Sequence, residues 1–376
     1  MAGSLQAMIP VYSPCLTRDS LRYAREALDS AWISSIGQFT ALAEVELSRR
    51  LGVRHAILLS NGTTAGHLLI RCVRRFHPRV RKFIVPNNVF VAAWNAILYE
   101  FEVSSLHPLD ANIRTWNADY LDDPSLADAN SEDTCFMVVH NLGNTVNVPM
   151  IQRRFPRALV CEDACESIFG SYEGQSAGTA AYASTLSFFG NKNITCGEGG
   201  ALLTNCDLTA AAVRLMKGQG QGSTRYLHEE LGFNYRMTNL QAGILLGQLE
   251  RWEELRERKV RLFHLYHDRL QHVPNLEFQE AEPGTEPSRW MFGVRIVGLR
   301  SYGAAAARYR RAGIETRPMF YPISSHGHLK DVSCDAAVAT LLNQECVILP
   351  SWPGLTEEQI EHVANVTEQV CQEVTT

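Results

Sequence analysis

No apolar run in the chain approaches the roughly twenty residues that a membrane-spanning helix needs. The start, Met1 to Pro10, lacks the basic segment and apolar core of a secretory leader. Both absences lead to the expectation of a cytoplasmic protein with no membrane partner. Positive charge is not in excess either: 35 Lys and Arg stand against 40 Asp and Glu, a formal net charge of −5. That balance argues against a nucleic-acid binder, and the basic clusters at Arg71 to Arg81 and Arg256 to Arg261 read as solvated helix faces. The ten cysteines form no Cys-x-x-Cys repeat, so neither a metal site nor a disulfide framework is expected; they read as free thiols in a reducing compartment. Cys161 and Cys165 are four apart but have no nearby histidine, and read as core. What remains is ordinary for a soluble globular protein, 45% hydrophobic and 20% charged over 376 residues, enough for one large domain and one smaller one.

Apolar runs alternate with helical stretches from His55 onward. Strands are expected at His55 to Leu59, Lys82 to Val85, Glu102 to Leu106, Cys135 to His140, Ala158 to Cys161, Ala183 to Phe188 and Gly200 to Leu203. This alternation predicts an α/β protein with a doubly wound, mostly parallel seven-stranded sheet. Before it, Leu21, Ala24, Leu28 and Ala31 recur at helical spacing behind Thr17, and a second helix runs through Phe39, Leu42, Val45 and Leu51. After it, residues 238–270 read as one long helix, with Leu240, Ile244, Leu249, Trp252 and Leu255 as its apolar stripe. This helix is expected to bridge a large domain, 1–250, and a small α+β domain, 251–376. In the small domain, strands are expected at Trp290 to Val297 and Glu315 to Phe320, with a helix from Tyr302 to Arg311. A last helix opens on the capping box Thr356 and Gln359 and buries Ile360, Val363, Val366 and Val370.

The chemistry gathers around one lysine. Ser187-Phe-Phe-Gly-Asn-Lys192 leads out of an apolar strand and runs to Gly197-Glu-Gly-Gly200, where another strand begins. A lysine on a short connection between buried strands is partly desolvated, which lowers its pKa and frees its amine for a Schiff base. Upstream, Arg157 to Asp163 is a strand whose carboxyl end carries Glu162 and Asp163, and ligand chemistry in open α/β sheets collects at such ends. Ser60-Asn-Gly-Thr-Thr64 runs from a strand through a glycine turn into a helix N-terminus, an anion site to which Ser187 can add a hydroxyl. A lysine for an aldehyde, an acid for a ring nitrogen and a seat for a phosphate are the three needs of pyridoxal 5'-phosphate.

These residues resemble the pyridoxal-phosphate nucleotide-sugar aminotransferases, which share the fold type I architecture of aspartate aminotransferase. The matching pieces are Trp32-Ile-Ser-Ser35 with Gly37, Ser60-Asn-Gly-Thr63 with His67-Leu68, Glu162-Asp-Ala164 with Glu166, Ser187 to Lys192 with Gly197 to Gly200, and Gly232-Phe-Asn-Tyr-Arg-Met-Thr-Asn239. They lie in the family's order over most of the chain. The resemblance implies that Lys192 holds the cofactor and moves protons, that Asp163 keeps the ring nitrogen protonated, and that Gly62, Thr63 and Ser187 take the phosphate. Phe90 would cover a ring face and Glu166 would sit near the phenolic oxygen or the substrate. Trp32, Ser34, His140 and Arg317 are the implied substrate contacts. A homodimer with shared sites is implied, Asn234 of one subunit closing the phosphate site of the other. The implied partners are L-glutamate or 2-oxoglutarate and a nucleotide-linked 4-keto-6-deoxy sugar aminated at C4, GDP-linked first. UDP- or dTDP-linked sugars, or amination at C3, are the alternatives. The chain departs from the family where Val89 replaces the usual threonine before Phe90, and where Asn144 to Asn147 replaces a segment that usually contains an acid. Rival readings are a dehydratase or a regulator on the same fold, which Lys192 argues against, and a nucleotide-binding module. The last would need Gly197 to Gly200 as a phosphate loop, but that run precedes a strand, not a helix.

Overall fold

The computed structural model describes residues 8–375, so the first seven residues of the amino-terminal stretch read above lie outside it. Seven strands form the main sheet: β1 (His55–Leu59), β2 (Lys82–Pro86), β3 (Leu106–Leu109), β4 (Thr134–Val139), β5 (Leu159–Asp163), β8 (Ala183–Ser187) and β9 (Gly200–Thr204). Between them, β6 (Ser171–Tyr172) and β7 (Gln175–Ser176) make a small ribbon with β11 (Thr285–Glu286). The main order is β1-β9-β8-β5-β4-β2-β3. Only β9 runs against its neighbours, β1 and β8; the other pairings are parallel. A strand covered on both faces needs apolar residues at every position, and β4 is buried from Thr134 to Val139.

Helices cover both faces. α3 (Gly62–Phe76), α4 (Ala92–Leu98) and α6 (Asp207–Lys217) share one core with the sheet, whereas α2 (Gln38–Leu51) and α7 (Asn239–Glu250) share the other. α5 (Val148–Arg154) flanks β5. The smaller domain is built on β10 (Leu276–Phe278), β12 (Phe292–Ile296), β13 (Arg317–Pro318) and β14 (Cys346–Leu349), in the order β10-β12-β14-β13. Its core joins α8 (Trp252–Leu270), α9 (Tyr302–Arg311) and α11 (Glu357–Thr375), while α10 (Ala337–Glu345) leads into β14. The capping box before α11 forms as expected: Gln359 N donates to Thr356 Oγ1 and Thr356 N to Gln359 Oε1. Among the described residues, no helix is long and apolar enough to cross a membrane. Among the described residues, no disulfide joins any of the ten cysteines.

Four expectations are corrected. The third strand lies at Leu106–Leu109, and Val103–Ser105 is a turn of 3₁₀ helix before it. This strand contains Pro108, opposite Val85, which an edge strand tolerates because its other side pairs with nothing. Residues 238–270 are two helices broken at Arg251 (φ −102°, ψ 23°). The first helix, α1 (Arg18–Asp29), buries Ser20 and Ala27 and leaves Leu21 and Leu28 exposed. It packs on α7 by close backbone approach: Ser20 Oγ donates to Ile244 O, Thr17 Oγ1 donates to Gly247 O, and a Cβ on Gly247 would stand 2.1 Å from Ser20 N. Leu42 and Val45 of α2 are likewise exposed, while Phe39 and Leu51 are buried.

Candidate active site

Because β1, β2, β4, β5 and β8 all point the same way, the turns that follow them open on one end of the sheet. Ser60, Phe90, His140, Asp163 and Ser187 all sit at that end, as open α/β sheets require of a ligand site.

Lys192 lies in the connection from β8 to β9 and its backbone is held from several sides. Lys192 N donates to Phe189 O at 2.9 Å, Tyr12 Oη donates to Lys192 O at 2.9 Å, and Trp290 Nε1 donates to Asn191 O at 2.7 Å. Asn193 Nδ2 donates to Ser288 O at 2.9 Å. The side chain is 12% exposed; its Nζ is 3.6 Å from Glu166 Oε1 and 3.8 Å from the centre of the Trp290 ring. Glu166 is buried, with Oε2 accepting from Leu142 N at 2.9 Å. Burial pushes its carboxyl up to about 7; Lys192 pulls against that shift and Asp163 adds to it.

Asp163 ends β5, where its Oδ1 accepts from Cys165 N at 3.1 Å and from Thr185 Oγ1 at 3.3 Å. Those bonds orient the carboxylate beyond the strand end. Burial, with Asp163 adding to it, pushes the neighbouring Cys165 thiol well above the usual range. Across from it, α3 starts with Asn61 as N-cap, whose side chain accepts from Thr64 N, so the amides of Gly62 and Thr63 remain for an anion. Gly62 leaves little room for a side chain, since a Cβ would lie 3.0 Å from Ser187 Cβ and 3.1 Å from Cys165 Sγ. Gly200 is more confined still: a Cβ there would lie 2.3 Å from Asn61 O. The helix N-terminus and the Ser187 hydroxyl are thereby brought together.

Phe90 is 60% exposed at the rim, its ring 6.4 Å from that of Phe320. The loop with Trp32 and Ser34 is exposed and is tied down by Asn239. Asn239 Nδ2 donates to Trp32 O at 2.6 Å, its N donates to Ser34 O at 2.6 Å, and its Oδ1 accepts from Phe39 N at 2.9 Å. Gly37 leaves the space for this amide: a Cβ there would be 2.2 Å from Asn239 Cγ. Asn234 is exposed, accepting from Arg236 Nε at 3.1 Å. His140 is a correction. It is fully buried, its Nδ1 accepting from Val146 N and its Nε2 donating to Glu162 Oε2 at 3.1 Å, so neither nitrogen is left for a substrate. Glu162 also accepts from Tyr172, Gly178 and Ala181. Arg317 is exposed on β13 and has no ion-pair partner among the described residues.

Sequence reasoning missed Tyr12, Trp290 and Asn239 as parts of the site. Tyr12 and Trp290 lie far from Lys192 in the chain and carry no local pattern; Asn239 could have been found as the last residue of the Gly232 to Asn239 string. The residues present fit pyridoxal phosphate: a nearly buried amine, a carboxylate at a strand end, an anion seat with little room for a Cβ, and an aromatic ring at the rim. No group of His, Cys, Asp and Glu able to hold a metal occurs among the described residues.

Residues 14–368 match the DegT/DnrJ/EryC1/StrS aminotransferase family. The GDP-perosamine synthase of Caulobacter vibrioides is 35% identical over 96% of this chain and 98% of its own. Among solved structures, PseC of Helicobacter pylori, an aminotransferase involved in the biosynthesis of pseudoaminic acid, superposes with a TM-score of 0.89 at 21% identity, covering 97% of this chain and all of that one. The PLP form of Spr1654 from Streptococcus pneumoniae gives a TM-score of 0.87 at 20% identity, covering 98% of this chain and 100% of its own. The chain therefore belongs to the DegT/DnrJ/EryC1/StrS aminotransferase family and is a pyridoxal-phosphate-dependent aminotransferase of fold type I.

Proposed function

We propose that this enzyme moves the amino group of L-glutamate to C4 of a nucleotide-linked 4-keto-6-deoxy sugar, GDP-linked by similarity to the Caulobacter enzyme. The observation that carries the assignment of the reacting group is the Lys192 Nζ, nearly buried between Glu166 and Trp290 and close to the strand end that bears Asp163. Pyridoxal phosphate, when bound, supplies an aldehyde that exchanges amines and a ring that takes up the electron pair left when a proton departs. Lys192 would hold that aldehyde in the resting enzyme and, as the free amine, would carry the proton in each 1,3-shift. Asp163 would keep a proton on the ring nitrogen, the α3 amides with Ser187 would bind the phosphate, and Phe90 would cover the ring. Glu166, beside Nζ, serves as the neighbour that takes up or gives back a proton as Lys192 changes charge. Trp32 and Ser34 border the sugar nucleotide, and Arg317 at the exposed edge faces its charged end.

The same reading makes the enzyme a homodimer. Leu21, Leu28, Ile33, Ile36, Leu42 and Val45, on α1, α2 and the segment between them, are all exposed, with Val45 at 68%. So much apolar surface calls for a partner, and a second copy would bring Asn234 to its neighbour's phosphate seat. The division into residues 1–250 and 251–376 is supported by the break at Arg251 and by the separate core around Val294. Ten cysteines with no disulfide among the described residues suit a cytoplasmic enzyme. The test is spectroscopic: the purified yellow protein should bleach with glutamate and recover its colour with 2-oxoglutarate or with the keto-sugar. A protein that recovers only with 2-oxoglutarate is a transaminase with a different acceptor.

A further inference from the structure

Lys259 of α8 is 1% exposed. Its Nζ donates to Trp290 O at 2.8 Å and to Ser351 O. No carboxylate pairs with it among the described residues; the ring faces of Tyr12 and Phe263, at 5.6 and 5.5 Å, are its other neighbours. Burial alone pushes its amine well below the ordinary lysine range. Burying an amine without an acid is unfavourable, and an apolar side chain of similar length would be easier to accommodate. The contacts it makes instead are specific in place. Ser351 follows β14 and its Oγ accepts from Phe292 N at 2.8 Å, so Lys259 fastens the ends of two paired strands. Trp290 precedes β12, and its indole is the surface against which Lys192 Nζ rests. Tyr12, whose ring faces Lys259, is the residue that donates to Lys192 O.

We propose that Lys259 is a positioning residue for the reaction: by holding the Trp290 carbonyl it keeps the indole face over Lys192 Nζ, where the ring's negative face favours a positively charged nitrogen. The inference rests on the reading that Lys192 carries the cofactor. The other groups facing Nζ, Glu166 at 3.6 Å and, farther off, Asp163 and Cys165, come from the β5 end and are untouched by a change at Lys259.

The experiment titrates the absorbance band of the cofactor in the full-length holoenzyme for wild type, Lys259→Met, Trp290→Leu and the double variant. Lys259→Met should lower the pH midpoint by roughly half a unit, a few-fold in the protonation equilibrium. Trp290→Leu should lower it at least as far, and the double variant no further than Trp290→Leu. Lys259→Gln, which keeps an N–H donor for the carbonyl, should restore part of the shift, and Lys259→Leu, which removes the donor, makes the same comparison if Lys259→Met does not fold. An unchanged midpoint in the Lys259 variants, even with a lower Tm, or shifts that add in the double variant, overturns the proposal. A wild-type protein with no such band, or a Lys192→Ala protein that keeps it, would instead overturn the reading of Lys192.

Discussion

Lys192 Nζ stands 3.6 Å from Glu166 Oε1, with the two side chains only 12% and 6% exposed. The pair is asymmetric, because burial raises the carboxyl to about 7 against its usual 4.5 even with the lysine beside it. A carboxyl with a raised pKa binds its proton more tightly when folded. Its contribution favours the native state below about pH 4.5 and is lost as the pH rises through about 7. A shift of that size corresponds to about 3 kcal/mol. In enzyme freed of cofactor, Glu166→Gln should therefore gain in Tm over wild type as the pH rises from about 5 to about 8. A difference in Tm that does not change with pH would show that Glu166 is not the buried acid described.

Lys192→Ala should abolish turnover and leave the fold intact, since the lysine's role is chemical. Loss of a covalent group costs at least about a thousandfold in kcat. A variant that retains more than this, with unchanged circular dichroism, would remove Lys192 from the reaction.

Asn239→Ala should strike the loop that carries Trp32 and Ser34. The change strands the amide of Phe39 and the carbonyl of Trp32, a loss of about 1–3 kcal/mol if the groups stay dry. The expected signature is a raised KM for the sugar nucleotide with an unchanged rate of bleaching by glutamate. Equal losses in both half-reactions would show that the loop serves the cofactor and not the sugar.

Mixing inactive Lys192→Ala with inactive Asn234→Ala should restore activity, since a hybrid dimer contains one site with both residues intact. After subunit exchange verified by mass spectrometry, a mixture that stays inactive would place Asn234 in its own subunit's site or in none.

The strand-to-turn patterns at Ser60, Asp163 and Lys192 were legible because each candidate site residue sits at or just past the end of an apolar run, where the parallel sheet forces its strand ends together. Helix faces were less legible. Leu21 and Leu28 follow helical spacing yet face outward, while Ser20 and Ala27 lie inside, because α1 meets α7 at Gly247, where only small groups fit. The break at Arg251 has no glycine or proline to announce it; α7 is buried almost all round and α8 departs toward a different core. His140 follows the last residue of β4, but Glu162 draws it into the interior, a contact across neighbouring strands that no local pattern reveals. Trp290 reaches Lys192 from nearly a hundred residues away for the same reason.

The most direct measurement is of the product. Incubating the enzyme with ¹⁵N-glutamate and GDP-, UDP- or dTDP-linked 4-keto-6-deoxy sugars, then locating the nitrogen by NMR, reads donor, acceptor and position together. The account predicts ¹⁵N at C4 of the GDP-linked sugar, formed by wild type and not by Lys192→Ala. Amination only at C3, or only of a keto-sugar with no nucleotide attached, would contradict it.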